Sequence, residues 1–583
     1  VTATLESRPV ALADEDAGPA GAESVRAEPP ARRTSAGYGR WAGTALVLAL
    51  AGLSTWAFTL DVAVPWPWSD EGATYLALQR SFAGILVLSH GPDAPLVPYY
   101  LLAKAWTGVV AFCAPQVSTL TAARLLSAVA ASATVVVLYA FVSRNAGRLA
   151  GLLSGLLLVS LPGFGRLAQE ARPYTLLALA ATAGWWAWDR WLHPDRRPGL
   201  WPSTSVPALG ERGRTRVVGP AAGYVAGLVA IGAIHTFGLL QWPAQALATL
   251  LDRRAGRWSR GRTLGATLCL MAVAGTLVAV QVLASVTHGT GSRAPNAARV
   301  VNLATSAAEV VRGVFLSGSL PAVLPVLLLA VAGLIGTRAT RGFSVTVAVW
   351  LVVPLALELA LSVVRTNLFR SRYWIADIPP VAAAAGLGLA VLAEAVWRPV
   401  VAHAPGGATR ARTLVAAGAV AAVLATALGA QVATQAREQG RLRAASGHHS
   451  ENLGPLLSAV DSLRARHPGI PVLISSGPAS GIIGAARPEL QAGNALRRLD
   501  PAGASVYTVP APQGVVRAAI TGSRLVLWVF RGPLTAPAAA KRIPHGLAGL
   551  HLHVTGLVRA GRWTVIVLGR PGGSIIATST ANH

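Results

Sequence analysis

The sequence predicts a polytopic α-helical membrane protein that ends in a small C-terminal α/β domain. Three observations predict it. Of its 583 residues, 53% are hydrophobic and only 13% charged, about half the charged share of an ordinary soluble domain. The apolar residues fall in long runs, such as 41–60 and 263–286, each near the roughly 20 residues that cross a bilayer as a helix. Lipid offers backbone polar groups no partner, so such runs must be helical. After residue 431 the pattern changes to short, strand-like runs separated by helix-like stretches.

The net charge is +26. In a soluble chain that would point to nucleic acid. Here the arginines gather in short segments between apolar runs, where they set orientation, and no nucleic-acid partner is expected. Lys104 and Lys541 are the only lysines. Arg in place of Lys, with abundant Ala, Gly and Val, suggests a GC-rich genome such as that of an actinobacterium. Residues 1–40 lack an apolar period and are expected to form a disordered cytoplasmic tail. No cleavable signal peptide is expected, because the first apolar run is long and begins late. Cys113 and Cys269 lie in apolar runs and are expected to be buried free thiols, with no disulfide and no metal role.

Hydropathy predicts about eleven spans within 41–432, at 41–60, 121–142, 149–164, 173–192, 217–235, 237–251, 263–286, 316–336, 343–364, 374–397 and 413–432. The run 97–115 is also apolar. If it does not cross, every strongly basic loop, from Arg144 and Arg148 to Arg398, Arg410 and Arg412, lies on the side of the N-terminus, in accord with the positive-inside rule. It is therefore expected to lie along the outer interface. The same parity puts 61–120, 165–172, 365–373 and the whole 433–583 domain outside. In that domain, 471–474, 505–509, 524–530 and 563–568 read as strands and 456–466 as a helix.

Polar groups collected at one membrane face are costly near lipid and mark function. The first outer loop carries Asp70 and Glu71 directly after Ser69. Ser69 suits a helix cap, and two acids suit a first turn through the macrodipole. The pair also suits a general base or a metal ligand at the water boundary. The loop continues with His90, Asp93, Tyr99, Tyr100 and Lys104; Tyr also favours this depth as an interface anchor. The second outer loop holds Glu170, Arg172 and Tyr174, and the third holds Arg365, Arg370, Arg372 and Tyr373. Arginines outside run against the orientation bias. Helix-end snorkelling is one reason; a phosphate held by bidentate guanidinium forks is the other, and it accounts for all four.

An acidic pair after the first span, a His/Asp-Pro-Tyr-Tyr stretch, Glu170 to Tyr174 as Glu-Ala-Arg-Pro-Tyr, and Arg-Tyr at 372–373 form an ordered set. Over about residues 41–400 the chain resembles the GT-C superfamily of membrane glycosyltransferases. It is most similar to actinobacterial mannosyltransferases akin to protein mannosyltransferases and the lipid A aminoarabinose transferase. It departs from them around His90 and Asp93, where relatives keep a shorter His-Pro-Pro-Leu-like stretch.

The resemblance implies a plasma-membrane enzyme that transfers a sugar with inversion from a polyprenyl-phosphate donor to an acceptor hydroxyl on a protein, glycolipid or polysaccharide. Asp70 is then the expected base. Arg172, Arg370 and Arg372 are the expected phosphate clamps, with Lys104 a further one. Glu71 and Glu170 would orient the acceptor or hold a divalent cation, although no cofactor is required. His90, Asp93, Tyr99, Tyr100, Tyr174 and Tyr373 are the expected sugar or acceptor contacts. A lipid transporter or flippase is the alternative, and would need polar groups at the midplane, where Glu358 is the exception to otherwise apolar spans and Asp377 lies near a span end. A scaffold with an exported binding domain is a third reading.

Overall fold

The structure is a computed structural model describing residues 35–194, 218–252, 260–288, 303–316, 320–337, 339–364, 372–402, 409–442, 452–474, 478–492, 520, 523–541, 543 and 551–571. Most of the expected tail, the expected strand 505–509, and Arg365 and Arg370 lie outside the described residues.

Contacts divide the chain between Leu48 and Ala49. The first unit holds the start of α1 (Ser35–Thr59), and the second holds all that follows. After α1 come α2 (Ser69–Leu78), α3 (Phe82–Leu86) and α4 (Val97–Cys113). Then follow α5 (Thr119–Ala146), α6 (Arg148–Ser160), α7 (Pro162–Ala168) and α8 (Tyr174–Leu192). Next are α9 (Val218–Ile234), α10 (Gln241–Leu251), α11 (Arg260–His288) and α12 (Leu303–Phe315). The series closes with α13 (Leu320–Ile335), α14 (Arg341–Val364), α15 (Ile378–Ala402) and α16 (Thr409–Leu442).

Each of the eleven predicted spans therefore holds a helix among the described residues, but the span count needs more than that. Among the described residues five helices are long and apolar enough to cross a bilayer, or six if the pair α6–α7, bent by 68°, is one span. The bend falls at Leu161–Pro162, where Pro suits the first position of the second helix. One of the five contains α4. Its surface placement thus rests on the parity of the basic loops, not on its composition. That parity has a direct test. A periplasmic-type phosphatase fused after residue 583 should be active outside the membrane, and activity of a cytoplasmic reporter alone at that position would overturn the orientation.

The bundle centres on α5, α6, α8, α13 and α15, which pack against one another. Ala382 to Ala385, Leu387 and Leu389 of α15 are fully buried. Small residues bring the backbones together: a Cβ on Gly388 would run into the carbonyl of Leu329, and one on Gly386 into Ser154. Such close approach is the main source of helix association in lipid, where apolar side chains gain nothing by leaving the solvent. The outward face of α11 is apolar, with Leu277, Val280 and Leu283 exposed, as a lipid-facing helix requires. Cys113 and Cys269 are free thiols but exposed. The expectation that they are buried fails because apolar runs here face lipid as well as protein. At the end of the bundle remote from α2, Arg144 donates to Asp189, and His193 lies 3.3 Å from Asp189 and 3.0 Å from Asp252, tying α5, α8 and α10 together.

The C-terminal residues carry the strands found among the described residues. They contribute α17 (Gly454–Arg466), β1 (Val472–Ile474), α18 (Pro478–Ala486) and α19 (Pro488–Ala492). β2 (Leu525–Arg531), α20 (Ala536–Lys541), β3 (His553–Ala560) and β4 (Trp563–Gly569) follow. The sheet order is β1-β2-β4-β3, with β1 parallel to β2 and the other pairs antiparallel. β3 and β4 form a hairpin over Gly561-Arg562, and Gly561 has φ +62°, which only glycine adopts without strain.

This region sits directly on α2. Gly72 lies so close to α18 that a Cβ would stand 2.7 Å from the Ile482 nitrogen. Ala485 joins the apolar cluster of Ala73, Ala77 and Tyr99. Trp66, just before α2, packs into the apolar cluster of Leu456, Ile482, Leu527 and Val565.

Candidate active site

The site is built on the first turn of α2 and the loop between α7 and α8. Contrary to the expected Ser69 cap, α2 begins at Ser69 itself, with Trp68 at the cap position and no side chain capping. Three contacts zip α2 to the loop. The Ala171 N–H donates to Glu71 Oε1 at 2.9 Å, the Thr74 hydroxyl donates to the Ala171 carbonyl at 2.9 Å, and Arg172 donates to the Asp70 carbonyl at 3.3 Å. Ser127 of α5 donates to the Arg172 carbonyl, and Thr175 donates back to the Ser127 carbonyl.

Asp70 is the partly open group, with its side chain 23% exposed. Its Oδ2 lies 3.1 Å from Arg372 Nη1 and 3.9 Å from Arg172 Nη2. One carboxylate thus stands between two guanidinium groups. The Nε atoms of both arginines are buried without a hydrogen-bond partner among the described residues. Burial opposes the Arg172 charge, but Tyr174 and Asp70 outweigh it and hold its pKa well above the usual arginine value. Aromatic rings wall the pair. Arg172 lies 5.8 Å from the Tyr174 ring, and Arg372 lies 5.6 Å from Trp68 and 5.3 Å from Tyr373. Tyr99 and Tyr100, both fully buried, are within electrostatic reach of Arg172.

The other expected residues go elsewhere. Glu71 is fully buried, and Arg124 of α5 grips both its oxygens at 2.7 Å. Arg124 also donates to the carbonyls of Val62 and Pro65. Glu170 is fully buried beside Arg166, 3.2 Å away. Among the described residues no three His, Cys, Asp or Glu side chains gather into a cation-binding group. Lys104 donates to the Leu78 carbonyl at 2.7 Å, at the far end of α2, away from Asp70. His90 contacts Ser89 and stands with its ring 6.2 Å from that of His288, and Gln281 of α11 donates to Ala94 just past Asp93. That stretch is placed against α11.

His235 and Phe237 complete the wall and were not singled out by sequence. His235 follows the end of α9 and caps the turn 236–240 through its Nδ1, which accepts from the Phe237 N–H at 3.3 Å. The two rings stack, and Tyr373 lies 5.6 Å from His235 and 4.8 Å from Phe237. His235 is mostly buried, and the charges of Arg172 and Arg372 lie within electrostatic reach of it. The signal available in the sequence was one polar residue ending an otherwise apolar run.

No protein-family model matches the chain, and no curated protein is similar to it in sequence. Solved structures are. ArnT from Cupriavidus metallidurans in the apo state superposes with a TM-score of 0.54 at 15% identity, over 90% of this chain and 98% of that one. The same protein bound to undecaprenyl phosphate gives 0.51 at 18%, with the same coverage. The two chains share a fold. At such identity the likeness speaks for architecture, and it extends through both the helical bundle and the C-terminal region.

Proposed function

We propose that the protein transfers a glycosyl group, mannosyl in our reading, from a polyprenyl-phosphate carrier to an extracytoplasmic acceptor hydroxyl, with inversion at the anomeric carbon, in the plasma membrane of an actinobacterium. The observation that carries this reading is the lone, partly open Asp70 carboxylate between two guanidinium groups whose Nε donors are unmatched. That is a base beside an anion site. The shared fold with ArnT, which has been captured with undecaprenyl phosphate, adds support.

In this mechanism Asp70 takes the proton of the acceptor hydroxyl. The hydroxyl oxygen bonds to the anomeric carbon as the bond from that carbon to the phosphate oxygen breaks. The electron pair stays on the phosphate, whose charge rises by one, and Arg172 and Arg372 stabilise it. An arriving donor phosphate competes with Asp70 for Arg372 and frees the carboxylate to act as base. Glu71 does no chemistry here: with Arg124 it fixes the turn that presents Asp70. Arg370 would join the clamp.

Reconstituted protein with labelled polyprenyl-phosphate-mannose and cell-envelope acceptors should release polyprenyl phosphate. Movement of the intact lipid across the bilayer without release would favour a flippase and overturn the reading. Arg372→Ala should weaken donor binding by roughly 10- to 100-fold, the worth of a hydrogen bond to a charged group. Arg372→Lys should recover part of it, because an ammonium lacks the planar fork. Equal donor affinity in all three proteins would remove Arg372 from the site.

A further inference from the structure

We propose that His235 is a third, uncharged contact to the carrier phosphate, donating from its Nε2–H to a phosphate oxygen. This rests on the anion-site reading above and adds a residue to it.

The tautomer follows from local geometry. Nδ1 accepts the Phe237 N–H and so carries no proton. A neutral imidazole with an acceptor at Nδ1 must be a donor at Nε2. Among the described residues the hydrogen bond seen to this ring is the one at Nδ1, and the side chain is mostly buried. The ring stacks on Phe237 and lies against Tyr373, the residue that follows Arg372, and both Arg172 and Arg372 are within electrostatic reach of it.

The two guanidinium groups explain why an uncharged donor is placed there. A third cation beside them would be repelled, and burial adds to the penalty, so a neutral imidazole is the form that suits this place. A neutral N–H adds a directional contact to the anion without that repulsion. It also suits a ligand whose charge rises during reaction, because the contact strengthens as the phosphate gains charge.

A purely structural role would be the cap on turn 236–240. Two amides separate the roles. In His235→Asn the side-chain oxygen can replace Nδ1 as the cap acceptor, but nothing reaches the Nε2 position. In His235→Gln the amide nitrogen reaches the Nε2 position, at the expense of the cap.

Binding of undecaprenyl phosphate to the full-length protein in detergent, with the thermal midpoint as a fold control, decides between them. His235→Asn should bind about tenfold more weakly at an unchanged midpoint, and His235→Gln should stay within about threefold of wild type. Inorganic phosphate should compete poorly. Normal binding by His235→Asn, equal losses in both variants, or binding of inorganic phosphate as tight as that of the lipid would each overturn the assignment. Failure of the wild type to bind the lipid would instead sink the proposed function, and this contact with it.

Discussion

Asp70→Asn should lower turnover by about 100- to 10,000-fold, the usual worth of a general base, while donor affinity holds or rises. The side chain keeps its shape but can no longer accept the acceptor proton. It also stops competing as an anion for Arg372, 3.1 Å away. The competing view is that Asp70 only favours the N-terminus of α2 through the helix dipole. On that view the effect would be confined to a modest loss of stability. Turnover and donor affinity measured on one purified sample separate the two, and near-normal turnover would end the catalytic assignment.

The second large effect belongs to stability. Arg124→Leu should destabilise the protein by about 3–5 kcal/mol, because it leaves Glu71 charged, buried and unmatched. Both side chains are almost wholly buried, at 1% and 0% exposure, so solvent screening offers little relief. Glu71→Leu should do comparable damage from the other side. In many buried pairs, removing both charges restores stability. Here recovery should be incomplete. Arg124 also serves the carbonyls of Val62 and Pro65, and Glu71 serves the Ala171 N–H. The double variant leaves those backbone groups unmatched, and each unmatched buried group is costly. Thermal midpoints for the four proteins of the cycle test this, and additive losses would show that the two residues act independently.

The contrast between these two neighbours shows what the sequence can reveal. Asp70, Arg172 and Arg372 stood out in the sequence as charges expected on one membrane face, and the structure brings the three side chains together. Glu71 read the same way, but its partner lies 53 positions away inside a run that reads as a span. Arg124 was itself the missed signal: an arginine in the second turn of an apolar helix must find an anion. Lys104, read from the sequence as a phosphate ligand, donates to the carbonyl end of α2, a contact that its type alone does not announce. The helices followed from hydropathy, but α12, which falls between the predicted spans, did not. β3 was missed because Gly556 and a register shift at Val554/Gly556 interrupt its alternation. The Gly561 turn joining it to β4 was a usable cue.

The crossing of Gly72 and Gly481 bears on how this protein can be taken apart. The C-terminal region touches α2 two residues beyond Asp70, and Trp66 is lodged among its apolar residues. Cutting the chain after α16 would therefore strip one wall from α2, the helix that carries Asp70. Expressing the C-terminal region alone would leave an empty slot where an indole belongs. The two parts are halves of one machine shop, not a tool and its handle, and whatever docks on the C-terminal region presses on the same backbone that positions Asp70.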